Sequence, residues 1–378
     1  MMKKLFTSLL LAYGVSAGAA SNTTLSGLNP QDFVAQVDGG STALYVLRNK
    51  AGAEACFTNW GGRWVSMMVP DRNGKMTDVV LGYDNIRQYL DNPTRNYGGL
   101  IGRYTNRIAN AQFSLDGNTY HLEKNNQGKH SLHGGSRGFH TRLWKANQPD
   151  AQTLELTYLS ADGEEGFPGN LTVHVTYRLS DDNALSVRYE AQTDRATVVS
   201  LTNHTYFNLS GKLDTQITDH TLQINADRYL PTDAELIPTG AVESVTDTPL
   251  DLRRATVIGS RIDSDFEQMV FGGRGFNHHW ILNSAGDIAK RAVRLTSPTT
   301  GIALDMYTTE PGTLVYTGNM MPMEGDMGKH GIVYPHRGAV SLEPEHNPDS
   351  PNHPEFPTTV LRPGQKYVSQ TVFRFLRR

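Results

Sequence analysis

Length, composition and charge exclude several classes of protein. The 378 residues carry a formal net charge of −3 and include a single cysteine, Cys56. A mildly acidic chain without a basic run lacks the positive patch that binds nucleic acid. One cysteine cannot form an internal disulfide, so the core must stabilise the fold. We therefore predict that Cys56 is a small buried apolar residue.

The N-terminus has the layout of a secretory signal peptide. Lys3 and Lys4 precede an apolar run over residues 5–15, and small residues follow at 16–20. The run is shorter than the roughly 20 apolar residues that span a bilayer. The pattern predicts a leader over residues 1–20 and export to a periplasm or the medium, with no membrane attachment after cleavage.

Period-two alternation of apolar and polar residues dominates the mature chain. Residues 171–179 alternate, a polar turn follows at 180–183, and residues 185–189 alternate back, which predicts a hairpin with one buried face. A second hairpin is predicted over residues 113–122, with Gly117 in its turn. Further strands are predicted at 293–296, 302–307 and 367–375.

Helical signals are weak. No window of 12 or more residues after the leader shows a strong helical stripe, and residues 255–271 are the best candidate. No repeat or linker divides the chain, and the proline-rich stretch 344–357 fits a fixed functional loop as well as a spacer. We therefore predict one domain over residues 21–378, an all-β fold consisting of a large antiparallel β-sandwich with long loops and little helix.

Several common catalytic motifs are absent or lack their context. There is no phosphate-binding P-loop, no His-x-His pair and no His-Glu-x-x-His. The pairs His278/His279 and His130/His133 lack a carboxylate or thiolate at ligand spacing, so no metal site is predicted. Residues 134–138 match G-x-S-x-G, but an apolar strand does not precede them and a helix does not follow.

Two blocks carry candidate ligand-binding groups. Residues 102–109 contain the adjacent donors Asn106 and Arg107, which suit a polyhydroxylated ligand. Residues 131–135 contain His133 followed by Gly134 and Gly135, which would let the backbone approach a ligand closely. Taken singly, a surface arginine and a turn with an incidental histidine are the plainer interpretations.

Two further blocks carry candidate proton-transfer groups. His204 lies among β-branched and aromatic residues in 203–209, where one ring orientation is fixed and a pKa of about 6.5 suits proton transfer. Glu343 ends a short apolar run, and Pro344 is expected to break the strand there. Such a carboxylate at a sheet rim is partly desolvated and becomes a better base. Glu345 and Asp349 compete with it as the functional carboxylate.

Together these blocks resemble the aldose 1-epimerase (galactose mutarotase) family. The resemblance extends from about residue 57 to the C-terminus and is carried by residues 102–109, 131–135, 162–169, 203–209, 316–319, 342–344 and 356–357. It implies a β-supersandwich that interconverts the α and β anomers of free aldohexoses such as glucose and galactose. No cofactor is implied, and the partner is a monosaccharide bound by a monomer or weak dimer.

The resemblance also implies roles for particular residues. Glu343 would be the general base and His204 the general acid, while Asn106, Arg107 and His133 would bind the sugar. Two positions depart from the family pattern. Asn277 stands where the family has aspartate, which keeps a hydrogen-bond acceptor but removes the charge. Leu314 stands where the family has glutamine, which removes a polar contact.

The chemistry of these groups suits such a reaction. Opening a hemiacetal ring removes a proton from the C1 hydroxyl and delivers one to the ring oxygen. A carboxylate and an imidazole on opposite sides of the bond can do both, each contributing about 10²–10⁴ in rate. The sequence predicts a bell-shaped rate profile, with an acidic limb from Glu343 and a basic limb from the histidines.

Two other functions are compatible with a fold of this kind. A glycoside hydrolase or lyase would need a second catalytic carboxylate, for which Glu165, Glu310 and Asp247 are candidates. A non-catalytic periplasmic sugar-binding module would need neither an acid nor a base, so the presence of both His204 and Glu343 argues against it.

Overall fold

The computed structural model describes residues 23–322 and 325–378. The first strands along the chain are β1 (Gln36–Val37), β2 (Gly40–Ser41), β3 (Leu44–Arg48), β4 (Glu54–Thr58), β5 (Arg63–Pro70), β6 (Met76–Asp78), β7 (Gly99–Ile101), β8 (Arg107–Ile108), β9 (Gln112–Leu115), β10 (Asn118–His121), β11 (Ser131–Leu132), β12 (Lys145–Asp150), β13 (Thr153–Ser160), β14 (Leu171–Leu179) and β15 (Ala184–Thr193). The predicted leader lies outside the described residues.

The second half of the chain continues the pattern. Its strands are β16 (Thr197–Val198), β17 (Thr202–His204), β18 (Tyr206–Phe207), β19 (Thr221–Ile224), β20 (Arg228–Leu230), β21 (Glu243–Ser244), β22 (Thr256–Val257), β23 (Asn277–Ile281), β24 (Val293–Thr296), β25 (Ile302–Thr308), β26 (Gly312–Tyr316), β27 (Val340–Glu345), β28 (Val360–Leu361) and β29 (Tyr367–Arg377). The α-helices are α1 (Ile86–Asp91) and α2 (Glu267–Phe271). Short 3₁₀ segments occupy Pro30–Phe33, Ala109–Ala111, Phe139–Thr141, Glu164–Gly166, Ile258–Ser260, Lys329–Gly331 and Ser350–Asn352.

The all-β prediction is confirmed, since strands make up 40% of the structure and helices 9%. Strands β14 and β15 form the predicted long hairpin, with Leu179 opposite Leu185 at its turn. Strands β9 and β10 form the second hairpin, with Thr119 opposite Ser114. Strands β24, β25 and β29 occupy the three further segments that alternation predicts.

Residues 255–271, the best of the weak helical candidates, are helical only in part. That segment forms β22, a 3₁₀ turn and only the short helix α2. Helix α1 is not anticipated, although Asn85 provides a local signal as its N-cap. The Asn85 side chain accepts a hydrogen bond from the Gln88 backbone N–H, which satisfies one free donor of the first turn.

The core lies between one large sheet and two smaller ones. The large sheet has the order β12-β13-β14-β15-β29-β25-β24-β19-β22, and the smaller sheets are β18-β27-β26-β23-β20-β21 and β3-β4-β5-β6. On β29, Phe373 packs against Phe207 of one smaller sheet and Trp64 of the other, with ring centroids 5.5 and 5.8 Å apart. Both smaller sheets therefore cover the same face of the large one, as in a β-sandwich.

The six-stranded sheet buries one face in this core and presents a polar face on the other side. On β27, Val340 and Leu342 belong to the core cluster. Because side chains alternate along a strand, Ser341, Glu343 and Glu345 share the opposite face. This alternation brings polar residues of β23, β26 and β27 onto one surface.

Pro344 does not break the strand, contrary to expectation. It lies within β27 and pairs with Thr313 of β26. Strand β18 accompanies β27 only at Val340 and Ser341. At Pro344 the strand is therefore an edge on that side, where a residue without an N–H is tolerated. The strand continues to Glu345, which places Glu345 beside Glu343.

Cys56 is buried in β4, as predicted. Burial raises the pKa of its thiol to about 12, which leaves an inert side chain. Among the described residues, no helix has the length and apolar character needed to cross a membrane.

Candidate active site

A cavity of about 190 Å³ lies over the polar face of the six-stranded sheet. This is smaller than the roughly 300–1,000 Å³ typical of sites for drug-sized ligands, so it suits one small molecule. All six predicted site residues line it, namely Asn106, Arg107, His133, His204, Asn277 and Glu343. The lining also includes Asn96, Leu132, Tyr206, Leu314, Tyr316 and Met320. Asn96 and Met320 carry no sequence signal, whereas Tyr206 and Tyr316 lie within motifs that the resemblance uses.

Glu343 and His204 are in contact at the floor of this cavity. The Nε2 atom of His204 lies 3.4 Å from Oε1 of Glu343, and both side chains are buried. The Ser341 hydroxyl lies 3.2 Å from the other ring nitrogen of His204, and Tyr206 stacks on the ring with centroids 4.8 Å apart. These contacts fix the imidazole against the carboxylate.

The Glu343 carboxyl group is more deeply buried than a sheet-rim position implied. It has no exposed surface, and neither oxygen accepts a hydrogen bond from the described residues. An unpaired buried polar group is costly, and such exceptions in native structures are concentrated where a ligand completes the hydrogen bonding. The carboxyl group is thus available for a hydroxylated ligand.

Burial disfavours charge on both members of the pair. Desolvation raises the pKa of Glu343 well above its ordinary value; the neighbouring Glu345 raises it further, while Ser341 and Arg107 lower it. Desolvation lowers the pKa of His204 to about 3. Both shifts favour the uncharged forms, so a proton shared by the pair is held by the carboxyl group in preference to the imidazole.

His133 is held as a neutral hydrogen-bond donor. Its Nδ1 accepts the backbone N–H of Asn106 at 3.2 Å, which assigns the ring proton to Nε2. Burial lowers the pKa of His133 well below its ordinary value, and the neighbouring His204 lowers it further. The two rings are 5.3 Å apart and nearly perpendicular. His133 can therefore donate an N–H to a ligand bound beside His204.

The tautomer of His133 makes the cluster a poor metal site. His133, His204 and Glu343 each offer a ligand-type atom, all within 4.8 Å of one another. A metal at Nε2 of His133 would need the lone pair of an atom that carries a proton. Freeing it would break the hydrogen bond from Asn106. These donors fit a hydroxylated ligand better than a cation.

Asn106 and Arg107 form a single hydrogen-bonded unit. Asn106 has a left-handed backbone (φ 62°), which asparagine tolerates better than most residues. Its Oδ1 accepts the backbone N–H of Arg107 at 2.9 Å. The Arg107 guanidinium donates from Nε to Asn126 at 3.3 Å. Burial lowers the pKa of Arg107 to about 10, so it remains a cation at neutral pH.

The glycines after His133 are required by close packing within the protein itself. Gly134 has φ +82°, and a Cβ there would clash with the carbonyl oxygen of Gly102. A Cβ on Gly135 would clash with the Glu165 side chain. The glycines allow loop segments to pack together. The G-x-S-x-G match leads into the short 3₁₀ segment Phe139–Thr141 rather than a catalytic helix, and Ser136 donates to Glu123.

The two departures from the family pattern both lie at the cavity. Asn277 begins β23 and is half-buried, and its side-chain amide makes no hydrogen bond to the described residues. Leu314 pairs with Glu343 across β26 and β27 and gives the cavity an apolar patch. Both positions can therefore influence which sugar is bound.

No second catalytic carboxylate lines the cavity within the described residues. Glu165, Glu310 and Asp247 are all absent from the lining. Glu310 instead binds His346 at 2.6 Å. Asp349, a competitor for the role of Glu343, accepts the backbone N–H of Ala109 at 3.0 Å and stabilises a loop. Among the carboxylates of residues 23–322 and 325–378, only Glu343 lines the cavity.

Comparison with known proteins shows the family to which the chain is related. The family model described as aldose 1-epimerase matches residues 43–374. The galactose mutarotase of Rattus norvegicus is 40% identical over 89% of this chain and 95% of its own length. The aldose 1-epimerase of Escherichia coli (strain K12) is 40% identical over 90% of this chain and 96% of its own. The solved GalM/aldose epimerase homologue from C. elegans superimposes with a TM-score of 0.81 at 30% identity, covering 89% of this chain and 99% of that one.

Proposed function

The chain belongs to the aldose 1-epimerase family of isomerases, and we propose that it uses Glu343 and His204 as a proton-sharing pair to interconvert the anomers of a free aldohexose. The observation that carries this proposal is the 3.4 Å contact between the two side chains inside a cavity lined by sugar-binding donors. Galactose and glucose are the substrates proposed, because the named relatives include galactose mutarotases.

The reaction needs one proton within the pair. When it lies on His204, the Glu343 carboxylate can take the proton of the C1 hydroxyl while His204 gives its proton to the ring oxygen. The bond between C1 and the ring oxygen breaks, and C1 becomes an aldehyde. After rotation about C1–C2, the aldehyde is attacked from its other face and the two proton transfers reverse. Atoms and charge balance without a cofactor.

The surrounding residues favour the productive form of the pair. In the free protein the shared proton rests on Glu343. A bound sugar would supply hydroxyl donors to the carboxylate, and the cation of Arg107 favours its charge, so the proton passes to His204. The Nε2–H of His133 stabilises negative charge that develops on a ring oxygen during opening.

Burial changes the predicted origin of the two pH limbs. The active pair holds one proton. At low pH the pair takes up a second proton on His204, so kcat/KM falls near the His204 pKa of about 3. It falls at high pH when the shared proton is lost, at the raised pKa of Glu343. The expectation from sequence was the reverse, with the acidic limb from Glu343 and the basic limb from the histidines.

Polarimetry tests the proposal directly. Fresh α-D-galactose and α-D-glucose should equilibrate faster with the protein than in buffer, and Glu343→Gln and His204→Gln should abolish most of the acceleration. Glu54→Gln is a matched control, since Glu54 is equally buried but bonds to Leu25 and Arg48. Equal rates with wild type and Glu343→Gln would refute the proposal.

Export is a separate proposal. We propose that residues 1–20 direct the chain to the periplasm or medium, because Lys3, Lys4 and the apolar run have the order of a signal peptide. Fractionation and intact-mass measurement of the mature chain test it. Full-length chain that remains in the cytosolic fraction would contradict it.

We also propose a monomer or weak dimer, because the cavity is built from residues of one chain. Light scattering coupled to gel filtration tests this, and a stable higher oligomer would refute it.

A further inference from the structure

A second buried carboxylate lies next to Glu343 on the same face of β27. Glu345 has no exposed surface, yet it does not line the cavity. Its Oε2 accepts the Thr105 hydroxyl at 2.9 Å, and its Oε1 accepts the side-chain amide of Asn106 at 3.0 Å. A ring nitrogen of His279 lies 3.3 Å from the same oxygen.

The contact with His279 depends on a glycine in the intervening strand. His279 lies on β23 and Glu345 on β27, with β26 between them. Gly312 of β26 pairs with Glu345, and a Cβ on Gly312 would clash with the His279 ring. The absence of a side chain at Gly312 therefore lets the imidazole lie across β26 and reach Glu345.

We propose that Glu345 is a positioning residue that orients the Asn106 amide toward its ligand-binding geometry and sets the charge state of Glu343. Two donors, Thr105 and Asn106, and a ring nitrogen of His279 converge on its two oxygens. This is the arrangement of an ionised carboxylate, a group that only accepts hydrogen bonds. Glu345 touches neither the cavity nor the reacting atoms, so it acts through its neighbours. The inference rests on the proposed roles of Asn106 and Glu343.

The first effect is on geometry. An asparagine amide can be placed either way round, and the contacts of Asn106 fix one orientation. Its Nδ2 donates to Glu345, which leaves Oδ1 to accept from Arg107. Glu345 therefore fixes the orientation of the sugar-binding unit of Asn106 and Arg107 from the side away from the cavity.

The second effect is electrostatic. Alternate residues of a strand lie about 7 Å apart, close enough for a buried negative charge to oppose ionisation of its neighbour. In agreement, Glu345 raises the pKa of Glu343 beyond the effect of burial. The charge of Glu345 therefore raises the pH at which the pair loses its shared proton.

Other charged or titratable groups also face these two carboxyls. The groups that face Glu343 are Arg107, His133, His204, Tyr206 and Tyr316. Those that face Glu345 are Arg107, His279 and His346. Arg107 lowers the pKa of Glu343, whereas Glu345 raises it. The experiment must therefore change the charge of Glu345 alone.

Glu345→Gln removes the charge and keeps the shape. The alkaline limb of kcat/KM, which the shared proton sets, should move about one unit to lower pH. KM should rise by roughly threefold because the Asn106 amide is held less firmly. Glu345→Asp keeps the charge and should return the limb close to its wild-type position. Glu54→Gln, which removes a buried charge elsewhere, should leave the limb unmoved.

Thr105→Val is a milder second variant, used if Glu345→Gln does not fold. It removes one donor to Glu345 but keeps the charge, so the limb should stay in place while KM rises by about twofold. An unmoved limb in a folded Glu345→Gln variant, an unchanged KM in Thr105→Val, or an equal shift in Glu345→Asp and Glu345→Gln, would overturn the inference. Wild-type protein that does not accelerate mutarotation would instead overturn the proposed function.

Discussion

The two faces of β27 are equally buried, but one carries apolar side chains and the other carries carboxyl groups. Val340 and Leu342 have no exposed surface and pack in the hydrophobic core, where removal from water is favourable. Glu343 and Glu345 on the other face are equally buried, but their removal from water is costly. Glu345 offsets that cost with two donated hydrogen bonds and a His279 ring nitrogen 3.3 Å away, whereas neither Glu343 oxygen has a hydrogen-bond partner within the described part of the chain.

This contrast separates the residues that hold the site together from the residue available for chemistry. The core face stabilises the strand, and Glu345 is satisfied by protein groups. The hydrogen-bonding capacity of Glu343 is left for the substrate. Burying this carboxyl group destabilises the folded protein, and hydrogen bonds from a bound sugar can offset that loss. Substitutions on the two faces should therefore have opposite effects on stability and activity.

The largest effect is expected for activity of Glu343→Gln. An amide cannot take the proton of the C1 hydroxyl, so kcat should fall by about 10²–10⁴. Polarimetry at saturating sugar measures this, with Glu54→Gln as the control. Retention of more than a tenth of the wild-type kcat would show that another group is the base.

The next largest effect is expected for the stability of a variant on the core face of β27. Leu342→Ala removes a wholly buried side chain and should lower the free energy of unfolding by about 2–5 kcal/mol. Denaturant titration measures the loss. The pH limbs of the folded fraction should stay at their wild-type positions, because no charge near Glu343 changes. A shifted limb would mean that the two faces are not independent.

Glu343→Gln should also make the protein more stable at neutral pH, by about 0.5–2 kcal/mol. The pKa of Glu343 is raised in the folded state above the value of about 4.3 expected when unfolded. Its contribution to stability is therefore present below pH 4.3 and is lost as the pH rises toward the folded-state pKa. The gain in melting temperature should be small at pH 4 and larger at pH 8. A gain that shrinks over this interval would contradict the raised pKa.

The smallest effect is expected at Asn277. Asn277→Asp restores the charge that the family pattern has there, and it should change the ratio of kcat/KM for galactose and glucose by about two- to tenfold. Progress curves for the two sugars measure this ratio. Asn118→Asp, at an exposed hairpin position, is the control. An unchanged ratio would show that Asn277 does not influence sugar preference.

Much of the fold follows from local sequence patterns. The hairpin of β14 and β15 was predictable because its alternation runs over most of both strands and a polar turn joins them. Helix α1 and the continuation of β27 through Pro344 could not be predicted in this way. A six-residue helix is too short for a clear stripe, and Pro344 is tolerated only because no strand flanks β27 on that side.

The candidate site was predictable in its residue types but not in its electrostatics. His204 and Glu343 were identified through motifs distant in sequence, and the structure places them 3.4 Å apart. The local pattern left Glu345 and Asp349 as competitors of Glu343, because three acids within seven residues look alike along a chain, and the family resemblance selected Glu343. The structure adds the physical distinction, since the three acids have different hydrogen-bond partners.

The amino-acid sequence alone determined the β-rich architecture, the family resemblance and the residues that could transfer protons, because alternation and motif spacing are local properties of the chain. The tertiary structure decided which carboxyl group is left unpaired, which neighbours hold it and where the shared proton rests. Those properties depend on burial and on contacts between distant segments, and both arise only when the strands pack together.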